Sequence, residues 1–258
     1  MKKYFFYFFI CMILMTQSAF AAFTGDTDGD GTIETVYVCN TNRVCIKDLN
    51  TGYVKTYSST YWGTISIVNL KDTDAQPGVE VVVLATYGTT PRVSVIRDRT
   101  GAVRHYSSPY WGTIAITHVE DTNGQAGNEI VVLAVKNNVP RISVIRDANS
   151  SSRDYSSPYW GTLAVNSVVD TNGSPGNEII LVYTTTGDKG ISVINDRLGG
   201  INQYSYGNKN TFSILRTFDY DTDPGKEICT SWTASRSSGY EIIKDKTRYR
   251  FPSGYCGG

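Results

Sequence analysis

Histidine is scarce: 258 residues contain two, His105 and His118, beside eight prolines and three methionines. Neither histidine belongs to a His-Glu-x-x-His run, and the chain has no Gly-x-Ser-x-Gly elbow and no phosphate-binding glycine loop. The common hydrolytic, metalloprotease and nucleotide-dependent constellations are therefore missing. An excess of one charge sign is missing too, because 24 basic side chains face 24 acidic ones. That balance excludes the electrostatic footprint of a nucleic-acid or anionic-membrane binder. Helical periodicity is almost absent. Apolar residues come instead in short runs bounded by Gly, Pro, Asn or Asp, as in a chain of many short strands.

The one long apolar run opens the chain. "MKKYFFYFFICMILMTQSAFA" starts with Lys2 and Lys3, stays apolar from Tyr4 to Met15 and ends in Ala-x-Ala at Ala19 and Ala21. It is short for a bilayer span and carries a cleavage-like site, so residues 1–21 read as a secretory signal peptide. The mature chain, 22–258, is expected to be secreted or periplasmic, without a membrane anchor. Four cysteines then remain: Cys39, Cys45, Cys229 and Cys256. An even count in an oxidising compartment favours two disulfides, with three connectivities possible. The preferred pairing is Cys39–Cys45 across a short turn, which leaves Cys229–Cys256.

Internal repetition decides the expected architecture. "YSSTYWGTISI", "YSSPYWGTIAI" and "YSSPYWGTLAV" place Trp62, Trp111 and Trp160 at a spacing of 49 residues. Each unit continues with an apolar strand, an acidic loop, a run such as "NEIVVLAV", a run such as "RISVIRD", and a strand ending in "YSS". Four strands per repeat predict propeller blades, hence an all-β, five-bladed β-propeller. The repeats fall at about 22–60, 61–109, 110–158, 159–208 and 209–258. Complete inner strands are expected at 63–70, 112–119, 161–168 and 211–218, so the first blade lacks its own. Its remnants are expected at the joined termini, with "FPSGYCGG" in the place of "YSSPYWGT" and "AFTG" at the strand's end. An open sheet array or two stacked sheets is the competing architecture.

The acidic loops carry the clearest chemistry. Each has an acid at its first position and Glu at its ninth: Asp26/Glu34, Asp72/Glu80, Asp121/Glu129, Asp170/Glu178 and Asp219/Glu227. The third position is Asp28, Asp74, Asn123, Asn172 or Asp221, always an oxygen donor. Calcium takes six to eight oxygens, which alternate side chains of a tight turn can supply. An EF-hand is excluded because its twelfth position would be Tyr37 in the first loop. Carboxylates are richest in the first loop (Asp26, Asp28, Asp30, Glu34) and the fifth (Asp219, Asp221, Asp223, Glu227), then the second (Asp72, Asp74, Glu80). Calcium is expected in the first and fifth, with the second next. Metal-free Asx turns are expected in the third and fourth.

"YWGTIAITHVEDTNGQAGNEIVVLAV" resembles the FG-GAP or VCBS-type repeats of integrin α-like β-propellers. Trp111-Gly112 stands where that family has Phe-Gly, and Glu129 where it has its last Asp. The resemblance runs over essentially the whole mature chain and implies calcium-clipped blades. It departs in detail, since only the first loop keeps Asp30-Gly31 at positions five and six. The other loops place Gly78, Gly127, Gly176 or Gly225 at position seven.

Tyr61-Trp62, Tyr110-Trp111 and Tyr159-Trp160 are candidate ligand-binding pairs, because aromatic faces stack on sugar rings. The same tryptophans also suit the wedge between blades. Arg92, Arg97, Arg141 and Arg146 recur fully in two blades only, as in a localised site or a solvated face. Asp48, Asp98, Asp147, Asp196 and Asp245 precede tight turns, where Asp is common. Together these features predict a calcium-binding binding module rather than an enzyme, with a glycan or a cell-surface protein as partner. A polysaccharide-degrading activity ranks behind both.

Overall fold

The computed structural model describes residues 22–207, 209–235, 237–244 and 247–251. The expected leader, 1–21, and the segment 252–258 with Cys256 lie outside the described residues, as does Asp245. Five four-stranded antiparallel meanders follow one another along the chain. Sheet 1 is β1 (Phe23–Gly25), β2 (Glu34–Asn40), β3 (Arg43–Asp48) and β4 (Val54–Ser58). Sheet 2 is β5 (Thr64–Lys71), β6 (Glu80–Tyr87), β7 (Thr90–Arg97) and β8 (Ala102–Tyr106). Sheet 3 is β9 (Thr113–Glu120), β10 (Glu129–Lys136), β11 (Val139–Arg146) and β12 (Ser151–Tyr155). Sheet 4 is β13 (Thr162–Val169), β14 (Glu178–Thr185), β15 (Asp188–Asn195) and β16 (Gly200–Ser205). Sheet 5 is β17 (Thr211–Phe218), β18 (Glu227–Ala234), β19 (Ser237–Lys244) and β20 (Thr247–Phe251).

The expected remnant of the first inner strand is present: within "AFTG", β1 pairs with β2, with Phe23 opposite Val36 and Gly25 opposite Glu34. It is three residues long, against eight for β5, β9, β13 and β17. Three of the other inner strands begin one residue later than the repeat suggested, because a glycine comes first. Gly63 donates its N–H to Thr86 O at 3.0 Å, an approach at which a Cβ would sit only 2.6 Å from that oxygen.

Sequence explains the packing. The second strands of sheets 2, 3 and 4 are apolar at consecutive positions because both their faces are covered. On β6, Val81 and Val83 pack towards sheet 1, while Val82 packs towards sheet 3. On β10, Ile130 and Val132 face sheet 2, and Val131 faces sheet 4. Ile180 and Ile228 continue the series between sheets 4 and 5. Burying each such side chain is worth roughly 1.5–3 kcal/mol. Repeated between consecutive sheets, that burial stacks the meanders face to face.

Among the described residues the five sheets are separate and do not close into a ring. The last cluster, Cys229 and Ile242 with Phe218 and Tyr240, comes entirely from sheet 5 and lies on the face turned away from sheet 4. Where later sheets offer Val81, Ile130, Ile179 or Ile228 to a predecessor, sheet 1 offers Thr35. Cys39 and Cys45 form the expected disulfide. Cys229 is fully buried and also disulfide-bonded. Among the described residues no helix is long and apolar enough to cross a membrane, and the disulfide suits an oxidising compartment.

Candidate functional site

In an antiparallel meander, the loop after the first strand and the turn after the third lie at one end, and the other connections at the opposite end. The acidic loops and the Asp98, Asp147 and Asp196 turns thus share one end of the stack. The Tyr-Trp-Gly loops share the other with the β6–β7 and β10–β11 hairpins.

At the acidic end the loops are stitched to one another. The N–H groups of Val79, Asn128, Asn177 and Lys226, each at position eight, donate to the carbonyls of Asp26, Asp72, Asp121 and Asp170 in the preceding loop at 2.8–2.9 Å. Position seven is glycine for this reason. Gly127 has φ +93°, and a Cβ there would lie 2.9 Å from Thr73 O. Inside each loop, the position-two N–H reaches back to the closing glutamate: Thr27 to Glu34, Thr73 to Glu80, Thr122 to Glu129, Thr171 to Glu178 and Tyr220 to Glu227, at 2.6–2.8 Å.

The threonine hydroxyls also cross to the next sheet. Thr27, Thr73 and Thr122 donate to Asp98, Asp147 and Asp196 at 2.9–3.2 Å. Each of these carboxylates gathers further donors from the preceding sheet. Asp98 accepts from Lys55 and Tyr57, Asp147 from Arg97 and Tyr106, and Asp196 from Arg146 and Tyr155. They are at most 3 % exposed. Burial and the adjoining carboxylates hold the Tyr57, Tyr106 and Tyr155 hydroxyls protonated, well above the ordinary tyrosine range. Turn preference therefore explains only Asp48, which accepts from the N–H groups of Asn50 and Thr51 in its own turn. The other three are inter-sheet anchors that the sequence reading missed. A fourth coincidence in the repeat, Thr at position two, was the available clue.

The carboxylate clusters differ from the expectation. Two converge among the described residues: Asp26, Asp28 and Glu34, and Asp72, Asp74 and Glu80, each with oxygens within 4.8 Å of one another. Both can hold a metal ion. Asp30 turns instead to the N–H and hydroxyl of Thr32, bonds that hold its carboxyl below the usual range. In the fifth loop no such cluster converges among the described residues. Asp219 is exposed, and Asp221 and Asp223 each lie 2.6 Å from Lys244 Nζ. The lysine already supplies the positive charge there.

Each loop meets its own charge differently. In the third and fourth, Asn123 and Asn172 donate an amide N–H to the glutamate where the first two loops have a carboxylate. In the second, Arg97 Nε is 3.1 Å from Asp74. In the first, no ion pair among the described residues reaches Asp26, Asp28 or Glu34. The Asp28 carboxyl is pushed up by burial, reinforced by the charges of Asp30, Glu34 and Asp98. That repulsion is what a bound cation relieves.

At the opposite end the aromatic pairs divide. Trp62, Trp111 and Trp160 are 2–7 % exposed and donate through Nε1 to Ser94, Ser143 and Ser192 at 2.8–2.9 Å. Their faces are spent on the core, so as sugar-stacking surfaces they are corrected. Tyr61, Tyr110 and Tyr159 remain exposed, at 45 %, 45 % and 56 %. The Arg92 guanidinium lies 4.4 Å from the Tyr61 ring and that of Arg141 4.2 Å from the Tyr110 ring.

His105 bridges Ser59 and Ser94 at 3.0 and 2.9 Å. A serine–histidine pair invites a nucleophilic reading, but the repeats place other side chains in the same bridge. Asp154 accepts from Ser108 and Ser143, and Gln203 donates to Ser157 and Ser192. What recurs is a two-serine polar bridge beneath the tryptophan, filled by His105, Asp154 or Gln203 in successive sheets. Burial lowers the His118 imidazole below its ordinary range, partly offset by Glu120.

The chain matches no family model and no curated protein. Among solved structures it is similar to dipeptidyl peptidase 4 from Porphyromonas gingivalis, with a TM-score of 0.50 and 10% identity over 89% of this chain and 38% of that one. TolB from Acinetobacter baumannii aligns with a TM-score of 0.41 and 14% identity over 91% of this chain and 55% of that one. The chain thus spans well under two thirds of either protein. The likeness to the peptidase concerns fold alone, and the fold is β-propeller-like.

Proposed function

We propose that the chain is an exported binding module for glycans, its five sheets acting as the blades of a propeller with a calcium ion clipping the first loop. The observation that carries the binding role is the pair of exposed tyrosines, Tyr61 and Tyr110, each held under an arginine. The buried, hydrogen-bonded tryptophan next to each fixes the loop that presents it. Rigid aromatic platforms on a packed scaffold are how a site keeps its geometry before a ligand arrives. Two similar platforms on adjacent sheets would also raise avidity for a repeating polymer. Export is supported by the basic and apolar leader of the sequence and by the Cys39–Cys45 disulfide.

Calcium in the first loop would be held by Asp26, Asp28 and Glu34, supplying the cation that Arg97, Lys244, Asn123 and Asn172 make unnecessary elsewhere. Its role is structural, joining loop to strand. Ring closure would be completed on the buried far face of sheet 5, where Cys229 is disulfide-bonded.

Glycan-array binding of the mature protein, alongside folded Tyr61→Ala and Tyr110→Ala variants, tests the binding role. Specific binding that both variants weaken is the expected result. A folded protein that binds no glycan would transfer the role to a protein ligand.

A further inference from the structure

We propose that the Tyr61 and Tyr110 platforms select carboxylate-bearing saccharides, with Arg92 and Arg141 as the recognising groups. The proposal rests on the glycan-binding reading and narrows it. A groove of about 320 Å³ is lined by Pro109, Tyr110, Lys136, Asn137, Val139 and Arg141. It holds two cations and no acid. Among the described residues, no ion pair includes Arg92, Lys136 or Arg141. Lys136 donates only to Pro109 O. At the other end of the molecule the half-buried Arg97 and Arg146 each have an acidic partner, Asp147 and Asp196. Cations left unpaired in a groove beside an aromatic face match a ligand with both a sugar-like apolar face and an anionic group.

The repeat shows that this arrangement is confined to two sheets for a steric reason. Arg92 lies across the strand pair from Ala85, and Arg141 from Ala134. In sheets 4 and 5 the pair is inverted: Tyr183 faces Gly190 and Trp232 faces Gly239. A Cβ on Gly190 would lie 2.5 Å from the Tyr183 hydroxyl, and one on Gly239 2.8 Å from the Trp232 ring. Small-opposite-arginine and large-opposite-glycine are alternative fillings of one space. Sheets 2 and 3 keep the guanidinium at the surface; sheets 4 and 5 fill the space with an aromatic. Tyr159 accordingly has no arginine of this kind, and Asp188 stands where sheet 3 has Val139.

The test is calorimetric titration of the mature protein with tri-galacturonate, with the fully methyl-esterified form of the same trisaccharide, and with tetraglutamate, at low ionic strength. The acid form is expected to bind about tenfold more tightly than the neutral ester, because only the carboxylate offers the guanidinium an opposite charge and a bidentate acceptor. Arg92→Gln/Arg141→Gln, with its unfolding temperature verified, is expected to abolish that preference, and Lys189→Gln to preserve it. Equal binding of acid and ester, or an unchanged preference in the double variant, overturns the proposal and leaves the glycan reading standing. No binding of either trisaccharide by folded protein overturns both. Tetraglutamate binding as tightly as tri-galacturonate overturns the saccharide choice in favour of an acidic peptide.

Discussion

The Arg97 guanidinium lies 2.6 Å from the carboxylate of Asp147 in the next sheet and 3.1 Å from Asp74 in its own acidic loop. One side chain therefore ties the charge of a loop to the seam between two sheets. The same seam is tied by Thr73 and Tyr106, so Asp147 is a shared acceptor rather than half of an isolated pair.

Asp147→Ala should destabilise the protein by about 3–5 kcal/mol, the usual consequence of removing one partner of a buried charged network. Asp48→Ala, at the equivalent turn of sheet 1, removes only bonds to its own loop. Its effect should stay near 0.5 kcal/mol, the range of ordinary surface changes. Urea unfolding of the two variants gives the comparison, and equal midpoints would remove Asp147 from the anchoring role.

Gly127→Ala should cost at least about 2 kcal/mol, since the left-handed backbone alone costs an alanine roughly 1–2 kcal/mol. The new methyl would also meet Thr73 O at 2.9 Å. Gly101 has φ +72° but nothing within 4 Å of a Cβ, so Gly101→Ala should show the backbone part alone, about 1–2 kcal/mol. A difference in unfolding temperature between the two variants measures the contact between loops. Its absence would mean that the loops are not stitched as described.

Calcium should raise the unfolding temperature, and Asp28→Asn should remove that rise. Asp223→Asn should leave it intact, because Lys244 already occupies the fifth loop. At a hundredfold excess of ion over its dissociation constant, the gain is about 2.7 kcal/mol. Scanning calorimetry with calcium and with chelator reads it directly. A rise that survives in Asp28→Asn and disappears in Asp223→Asn would place the ion in the wrong loop.

Burial raises the Glu129 carboxyl from 4.5 to about 7. Between those values the folded state holds a proton that the unfolded chain releases, so stability should fall as pH rises from about 4.5 to about 7 and then level off. Glu129→Gln should flatten that slope in unfolding experiments run with chelator across the interval. An unchanged slope would assign the dependence to other groups, Glu80 first, whose carboxyl burial also raises to about 7.

The repeat made the four-strand unit legible because glycine, proline and the Tyr-Trp-Gly loops punctuate it at fixed intervals. What it could not convey was which neighbour each polar side chain would meet. Asp147 and Asp48 occupy the same place in the motif, yet among the described residues only the former accepts from side chains of a preceding sheet. Counting carboxylates ranked the fifth loop beside the first, because Lys244 lies 21 residues beyond Asp223 in sequence although their charged atoms are 2.6 Å apart. The tryptophans were open to two readings for the same reason: the serines that accept their indole N–H groups in the core lie 32 residues downstream.

The exchange between sheets 3 and 4 can be tested directly. Ala134→Tyr places a ring where Arg141 now lies and should destabilise the protein by about 1–3 kcal/mol through overpacking. Arg141→Gly alone should also lose stability, from a glycine within a strand and an unfilled space. Together they recreate the Tyr183–Gly190 pair of sheet 4, so the double variant should be more stable than the sum of the single changes predicts. A coupling of about 0.5–3 kcal/mol is the range for residues in contact. The double variant should at the same time lose the proposed carboxylate preference of the Tyr110 groove while retaining that of Tyr61. Strictly additive single changes, measured by urea unfolding, would mean that the two fillings are not alternatives, and the confinement of the arginines to two sheets would need another cause.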